Sequence, residues 1–190
     1  MINSLCYRRS LLKKLHLKEI KFNGGFRLTI LLKPVRKREA QLLRNLYSLY
    51  LHDLSLYTNN LDIEVDGQFE FNGFKSFWVE EGISPYLLKD EADAIIGFML
   101  LLERPLLQKE HDYSVNDIFI LNKYRGKGYG KQVLEQLFIK KPGKYYVIQL
   151  RKNEPAISFW KKIYEQLNIE FHERQEQIGD DDCIVQTFQV

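Results

Sequence analysis

Asp117-Ile118-Phe119-Ile120-Leu121-Asn122-Lys123-Tyr124-Arg125-Gly126-Lys127-Gly128-Tyr129-Gly130-Lys131 reads as an apolar strand, a basic glycine loop and the start of a helix. Ile118 to Leu121 are the β-branched, aromatic and aliphatic residues that a buried strand prefers. Gly126, Gly128 and Gly130 lack a Cβ, so the backbone there can bend sharply and approach a ligand closely. Val133, Leu134, Leu137 and Phe138 follow at helical spacing and predict a helix that begins at or just after the loop. Its unpaired N–H groups and positive dipole end form an anion site. Arg125, Lys127 and Lys131 add positive side chains. The physical reading is a phosphate or pyrophosphate cradle between a strand and a helix.

Two familiar cradles fail. The dinucleotide fingerprint Gly-x-Gly-x-x-Gly, started at Gly126, needs a third glycine where Lys131 stands. The P-loop needs Gly-Lys-Ser/Thr, and Gln132 follows Gly130-Lys131; the earlier glycine position is Arg125. What remains resembles the acetyl-CoA pyrophosphate loop of the GNAT superfamily of N-acetyltransferases, with pattern Arg/Gln-x-x-Gly-x-Gly/Ala. Arg125, Gly128 and Gly130 fill its three fixed positions. An ordinary strand-to-helix turn stays open on the loop alone.

A second stretch bears on the choice. Asn153-Glu154-Pro155-Ala156-Ile157-Ser158-Phe159-Trp160 has a capping residue and a proline suited to a first helical turn. Ala156, Phe159, Trp160, Ile163, Tyr164 and Leu167 then form a helical stripe, which reads as a buried face. The order also resembles the second GNAT signature: Asn, Ala three residues on, and a bulky pair after that. Both signatures occur in order with one strand between them. The resemblance covers roughly residues 26–190. It implies a single α/β (α+β) domain with a mixed, mostly antiparallel sheet flanked by helices. It also implies a splay between two central strands that admits the pantetheine arm of acetyl-CoA.

The remaining elements suit that fold. Phe26 to Lys33 reads as a first strand ended by Pro34. A helical pattern runs from Val35 through Leu54; its Tyr47 and Tyr50, with Tyr57, read either as core or as the lining of a substrate pocket. Asp62 to Asn72 reads as a loop and Phe74 to Glu80 as a strand. Tyr86 to Lys89 and Ala94 to Leu102 read as a hairpin about Asp90-Glu91-Ala92-Asp93, with Gly97 marking a bulge. Pro142-Gly143 stops the loop's helix, and Lys144 to Leu150 is a strand. Glu170 to Gln177 and Cys183 to Val190 read as a closing hairpin.

Composition narrows the function. The 190 residues, 45% of them hydrophobic, suit one domain with a substantial core. A net charge of +3 is too mild to argue for nucleic acid. Cys6 and Cys183 form no metal spacing, and no metal site is expected. A reducing, cytoplasmic compartment is the default. No run approaches a membrane span. Residues 1–25 form a basic extension with Arg8, Arg9, Lys13, Lys14 and Lys18, readable as a solvated tail or as a transit-like or membrane-surface helix.

The resemblance implies that acetyl-CoA is held by the main chain of Ile118, Phe119 and Ile120, by Arg125, Gly126, Lys127, Gly128, Tyr129, Gly130 and Lys131, and by Asn153 and Phe159. Its acetyl group would pass to an amine: a small amine, an aminoglycoside-like compound or a protein amine. Asp117 is the implied base, with Glu80 and Glu81 as second choices. Many relatives carry a tyrosine acid seven residues after the signature asparagine. Here that position is Trp160, which is no useful acid at neutral pH, so Tyr164, one turn on, takes the candidate role. That departure also admits a non-catalytic acyl-CoA-binding module. A homodimer is left open.

Overall fold

The computed structural model describes residues 30–69 and 72–190. Residues 1–25, and the first four residues of the expected strand over 26–33, lie outside this range. Among the described residues, seven strands form one sheet in the order β1-β2-β3-β4-β5-β7-β6. The strands are β1 (Ile30–Pro34), β2 (Ile83–Asp90), β3 (Ile95–Glu103), β4 (Tyr113–Ile120), β5 (Lys144–Leu150), β6 (Phe171–Ile178) and β7 (Asp181–Gln189). Only β4 and β5 pair in parallel; the other neighbours are antiparallel.

Helices cover both faces. β3, with the run Ile95-Ile96-Gly97-Phe98-Met99-Leu100-Leu101-Leu102, is apolar on both sides because both sides are buried. One face carries α2 (Tyr129–Lys140) and α3 (Glu154–Leu167), whose Val133, Leu134, Leu137, Trp160 and Ile163 pack with Met99, Leu101, Val147 and Phe188. The other carries α1 (Ala40–Leu54), whose Leu43, Leu46, Tyr47 and Leu51 pack with Leu87, Phe98, Leu100 and Phe119. α1 begins later than its pattern predicts, because a 3-10 turn over Lys37–Glu39 precedes it.

The expected strand over Phe74 to Glu80 is instead a 3-10 turn, Asn72–Trp78. Side chains three apart align in a 3-10 turn. Phe74 and Phe77 are three apart, and both are buried with their rings against Tyr47. Strand alternation would have sent them to opposite faces. The hairpins of β2–β3 and β6–β7 form as the sequence predicts.

Gly97 sits beside an irregularity in β3. The β2–β3 register shifts opposite Lys89, leaving Ile96 as the extra residue. Gly97 instead permits a close approach, since a Cβ there would lie 1.9 Å from the Phe119 carbonyl oxygen on β4.

A second irregularity positions the site. Leu101 pairs with Val115 and Leu100 with Asp117, so Asn116 is an extra residue in β4. This bulge reverses the alternation. Val115 faces the α2/α3 core, whereas Asp117 and Phe119 face α1 and Ile118 and Ile120 face α2 and α3.

Candidate active site

β4 and β5 touch only at their starts, where Tyr113 pairs with Tyr145 and Ser114 with Tyr146. Beyond that they diverge and open a wedge. The N–H of Leu121 bonds the Ile96 carbonyl on β3. Strand alternation then turns the main-chain groups of Ile118 and Ile120 away from β3, toward the wedge. The carbonyl of Ile120 accepts from Arg125 Nε at 2.7 Å, as that orientation requires. The N–H and carbonyl of Ile118 are left facing the gap.

The glycine loop stands at the wedge's open end. Gly126 and Gly128 adopt left-handed φ values of 74° and 77°, and a Cβ on either would meet no protein atom within 4 Å. Their form therefore combines a backbone that favours glycine with open space above it. Gly128 caps α2, and the first bond of that helix runs from Gln132 to the Gly128 carbonyl at 3.2 Å. The N–H groups of the first turn, from Tyr129 to Lys131, have no acceptor within the helix. Lys127 is exposed and, among the described residues, forms no ion pair; its ammonium lies over the Tyr124 ring at 5.6 Å. Lys131 lies 3.6 Å from Glu135. These features fit a diphosphate: open backbone donors, a helix start and adjacent cations.

Two loop residues have other tasks. A Cβ on Gly130 would lie 2.8 Å from the Phe159 ring, so this glycine lets α2 and α3 pack closely. Arg125 turns back from the cradle. Its guanidinium pairs with Asp53 on α1 at 2.5 Å and lies 5.5 Å from the Phe119 ring centre. Arg125 thus pins the end of β4 to the end of α1.

Asp117 lies just past the bulge on the α1 face and is 7% exposed. Tyr47 donates to its Oδ2 at 2.6 Å, Tyr50 to its Oδ1 at 2.7 Å, and the Asn116 side chain to Oδ2 at 3.0 Å. Burial raises its carboxyl above the usual carboxylate range, against the lowering effect of the three hydrogen bonds. Burial and then the Asp117 charge hold both phenols well above their ordinary value, so they remain donors. The two tyrosines are one helical turn apart on α1, where both pack with the core against Phe98 while their hydroxyls turn to Asp117. Glu80 and Glu81 are exposed just before β2, and the hydrogen-bond partners of Asp117 are Tyr47, Tyr50 and Asn116.

On α3, the Asn153 side chain accepts from the Ala156 N–H at 3.2 Å and caps the helix. Phe159 lies against Gly130, on the α2 side. Tyr164 is 1% exposed, with its ring stacked on Phe171 and near Trp160. It donates to Gln186 Oε1 at 3.0 Å, and Gln186 donates to Glu173 at 2.8 Å. Burial first, and the Glu173 charge second, raise its phenol. Tyr164→Phe should lower stability by about 1 kcal/mol, because the buried Gln186 loses its donor, and should leave turnover per folded molecule unchanged. Thermal melts with steady-state rates check this, and a tenfold fall in kcat at unchanged stability would make Tyr164 the acid.

Comparison with known proteins bears on the family and the fold. The model of the acetyltransferase (GNAT) family matches residues 43–164. No curated protein matches at the level of sequence. Among solved structures, an acetyltransferase from Thermus thermophilus superposes with a TM-score of 0.62 at 18% identity, covering 85% of this chain and 97% of its own. A spermidine N-acetyltransferase from Vibrio cholerae, solved with CoA and spermine, gives 0.58 at 14% identity over 86% and 97%. A dodecameric form of the Vibrio cholerae enzyme gives 0.56 at 13% identity over 86% and 95%. At these identities the likeness is one of fold.

Proposed function

The chain belongs to the acetyltransferase (GNAT) family, and on that premise we propose that it transfers an acetyl group from acetyl-CoA to a primary amine by direct attack on the thioester. The observation that carries this reading is Asp117. It is a buried carboxylate at the point where β4 leaves β5, on the same strand that leads into the glycine loop. One strand thus carries a proton acceptor and leads on into a phosphate cradle.

The loop N–H groups and Lys127 hold the pyrophosphate, and the main chain of Ile118 holds the arm that runs down the wedge. A lysine-like ammonium, of pKa about 10.4, must lose a proton before it can attack. That proton passes to the Tyr50 oxygen as the phenol gives its own to Asp117 Oδ1, along the existing 2.7 Å hydrogen bond. The amine nitrogen bonds to the carbonyl carbon. The Ile118 N–H meets the developing oxyanion. The carbon–sulfur bond then breaks, and the second amine proton goes to the sulfur. A thiol of pKa about 8.5 leaves readily, so no dedicated acid is needed. The proton on Asp117 returns to water.

Thiol release from acetyl-CoA in the presence of an amine panel tests this. The panel holds polyamines, aminoglycosides and a lysine peptide; the polyamines enter because the Vibrio cholerae neighbour was solved with spermine. Release that depends on at least one amine is expected. CoA binding with no amine-dependent release from any class would contradict the reading.

A further inference from the structure

Gln149 on β5 is unusual. Among the described residues, its carboxamide oxygen and nitrogen are the only buried side-chain polar atoms without a hydrogen-bond partner. The residue is 5% exposed. Leaving such groups unpaired costs about 1–3 kcal/mol, and folded proteins rarely do so without a reason.

Its place supplies one. Tyr145, Val147 and Gln149 alternate onto the same face of β5, and the first two belong to the core beneath α2 and α3. Gln149 lies three residues beyond Tyr146, the last β5 residue paired with β4. Its main chain pairs with Ile184 on β7, so the opposite edge of β5 is the open side of the wedge. Across that gap runs the part of β4 containing Ile118 and Ile120, whose side chains lie on the same face as Gln149. The amide is therefore a polar group in an apolar stretch, level with the middle of the wedge.

The chemistry of the missing partner is narrow. A carboxamide needs one acceptor for its N–H and one donor for its oxygen. A thioester carbonyl supplies only an acceptor. A secondary amide supplies both, and the pantetheine arm of CoA carries secondary amides. We propose that the Gln149 carboxamide hydrogen-bonds a pantetheine amide in the β4–β5 wedge and so sets the depth at which the thioester rests beside the β4 bulge. This rests on the acetyl-CoA reading given above.

Calorimetric titration of wild type and Gln149→Leu with CoA and with adenosine 3′,5′-bisphosphate, which lacks the arm, tests it. Gln149→Leu should bind CoA about fivefold more weakly, the loss of one hydrogen bond, and adenosine bisphosphate equally well. Its melting temperature without ligand should not fall, because an unpaired buried amide has been removed. Gln149→Met, unbranched and of similar volume, should behave alike and serves if the leucine variant misfolds. Unchanged CoA affinity in a folded variant overturns the proposal and makes the amide internal. Equal losses for both ligands also overturn it, because the effect would then come through the loop. Failure of the wild type to bind CoA at all would instead overturn the acetyl-CoA reading, and this inference with it.

Discussion

Asp117→Asn should lower kcat by about a hundredfold or more at neutral pH, the usual effect of losing an acid–base group, while CoA binding survives. The substitution keeps shape and an acceptor oxygen for one phenol, so Tyr47 and Tyr50 stay placed. What it removes is the ability to take a proton. The defect should shrink as pH rises, because the amine then deprotonates in water. Wild type should carry an acidic limb in its pH–rate profile above the usual carboxylate range, since burial raises the Asp117 carboxyl. That limb should vanish in the variant. Stability gives the same sign. A carboxyl with a raised folded-state pKa contributes stability that is full below its unfolded value, about 3.9, and lost as pH rises through the folded value. Asp117→Asn should flatten the dependence of melting temperature on pH in that window. A variant with the wild-type rate and the wild-type acidic limb would remove Asp117 from the mechanism.

Gly128→Asn should weaken CoA binding by about tenfold or more, about 1.4 kcal/mol. Asparagine tolerates the left-handed region better than most residues, so the 77° φ at this position is kept at modest cost. No protein atom lies within 4 Å of the new Cβ, so nothing in the fold resists it. The side chain would occupy the open space above the loop, where the proposed function puts the pyrophosphate. A normal melt with reduced CoA affinity in calorimetry is the expected pair of results. Unchanged affinity would mean that the ligand does not come near Gly128. Gly130→Ala provides a contrast, because its Cβ would press on Phe159 and should cost stability first.

Much of this arrangement was legible in the residues because it is local. The strand, loop and helix over 117–140 follow from apolar runs and glycine spacing. The β2–β3 hairpin follows from its acidic turn, and the start of α3 from Asn153 and Pro155. What escaped depends on partners distant in the chain. Arg125 reads as a phosphate ligand from spacing alone, yet Asp53, 72 residues earlier, takes its guanidinium. Gly130 reads as part of the cradle until Phe159 is seen against it. The bulge at Asn116 exists only relative to β3, and no single strand announces it. The three-residue spacing of Phe74 and Phe77 was a usable sign against a strand. Tyr47 and Tyr50 had helical spacing, but nothing local pairs them with an aspartate near residue 117. Gln149 falls within the strand read over Lys144 to Leu150, and only its lack of partners sets it apart.

If Asp117 and the β4–β5 wedge form a site for acetyl transfer to nitrogen, mass spectrometry of the amine after incubation with acetyl-CoA and the protein should find one acetylated amine for each thiol released. The acetyl group should sit on nitrogen, and Asp117→Asn should give roughly a hundredfold less of both products. Thiol release that leaves the amine unmodified would mean that the wedge delivers the thioester to water, and would overturn acetyl transfer to nitrogen.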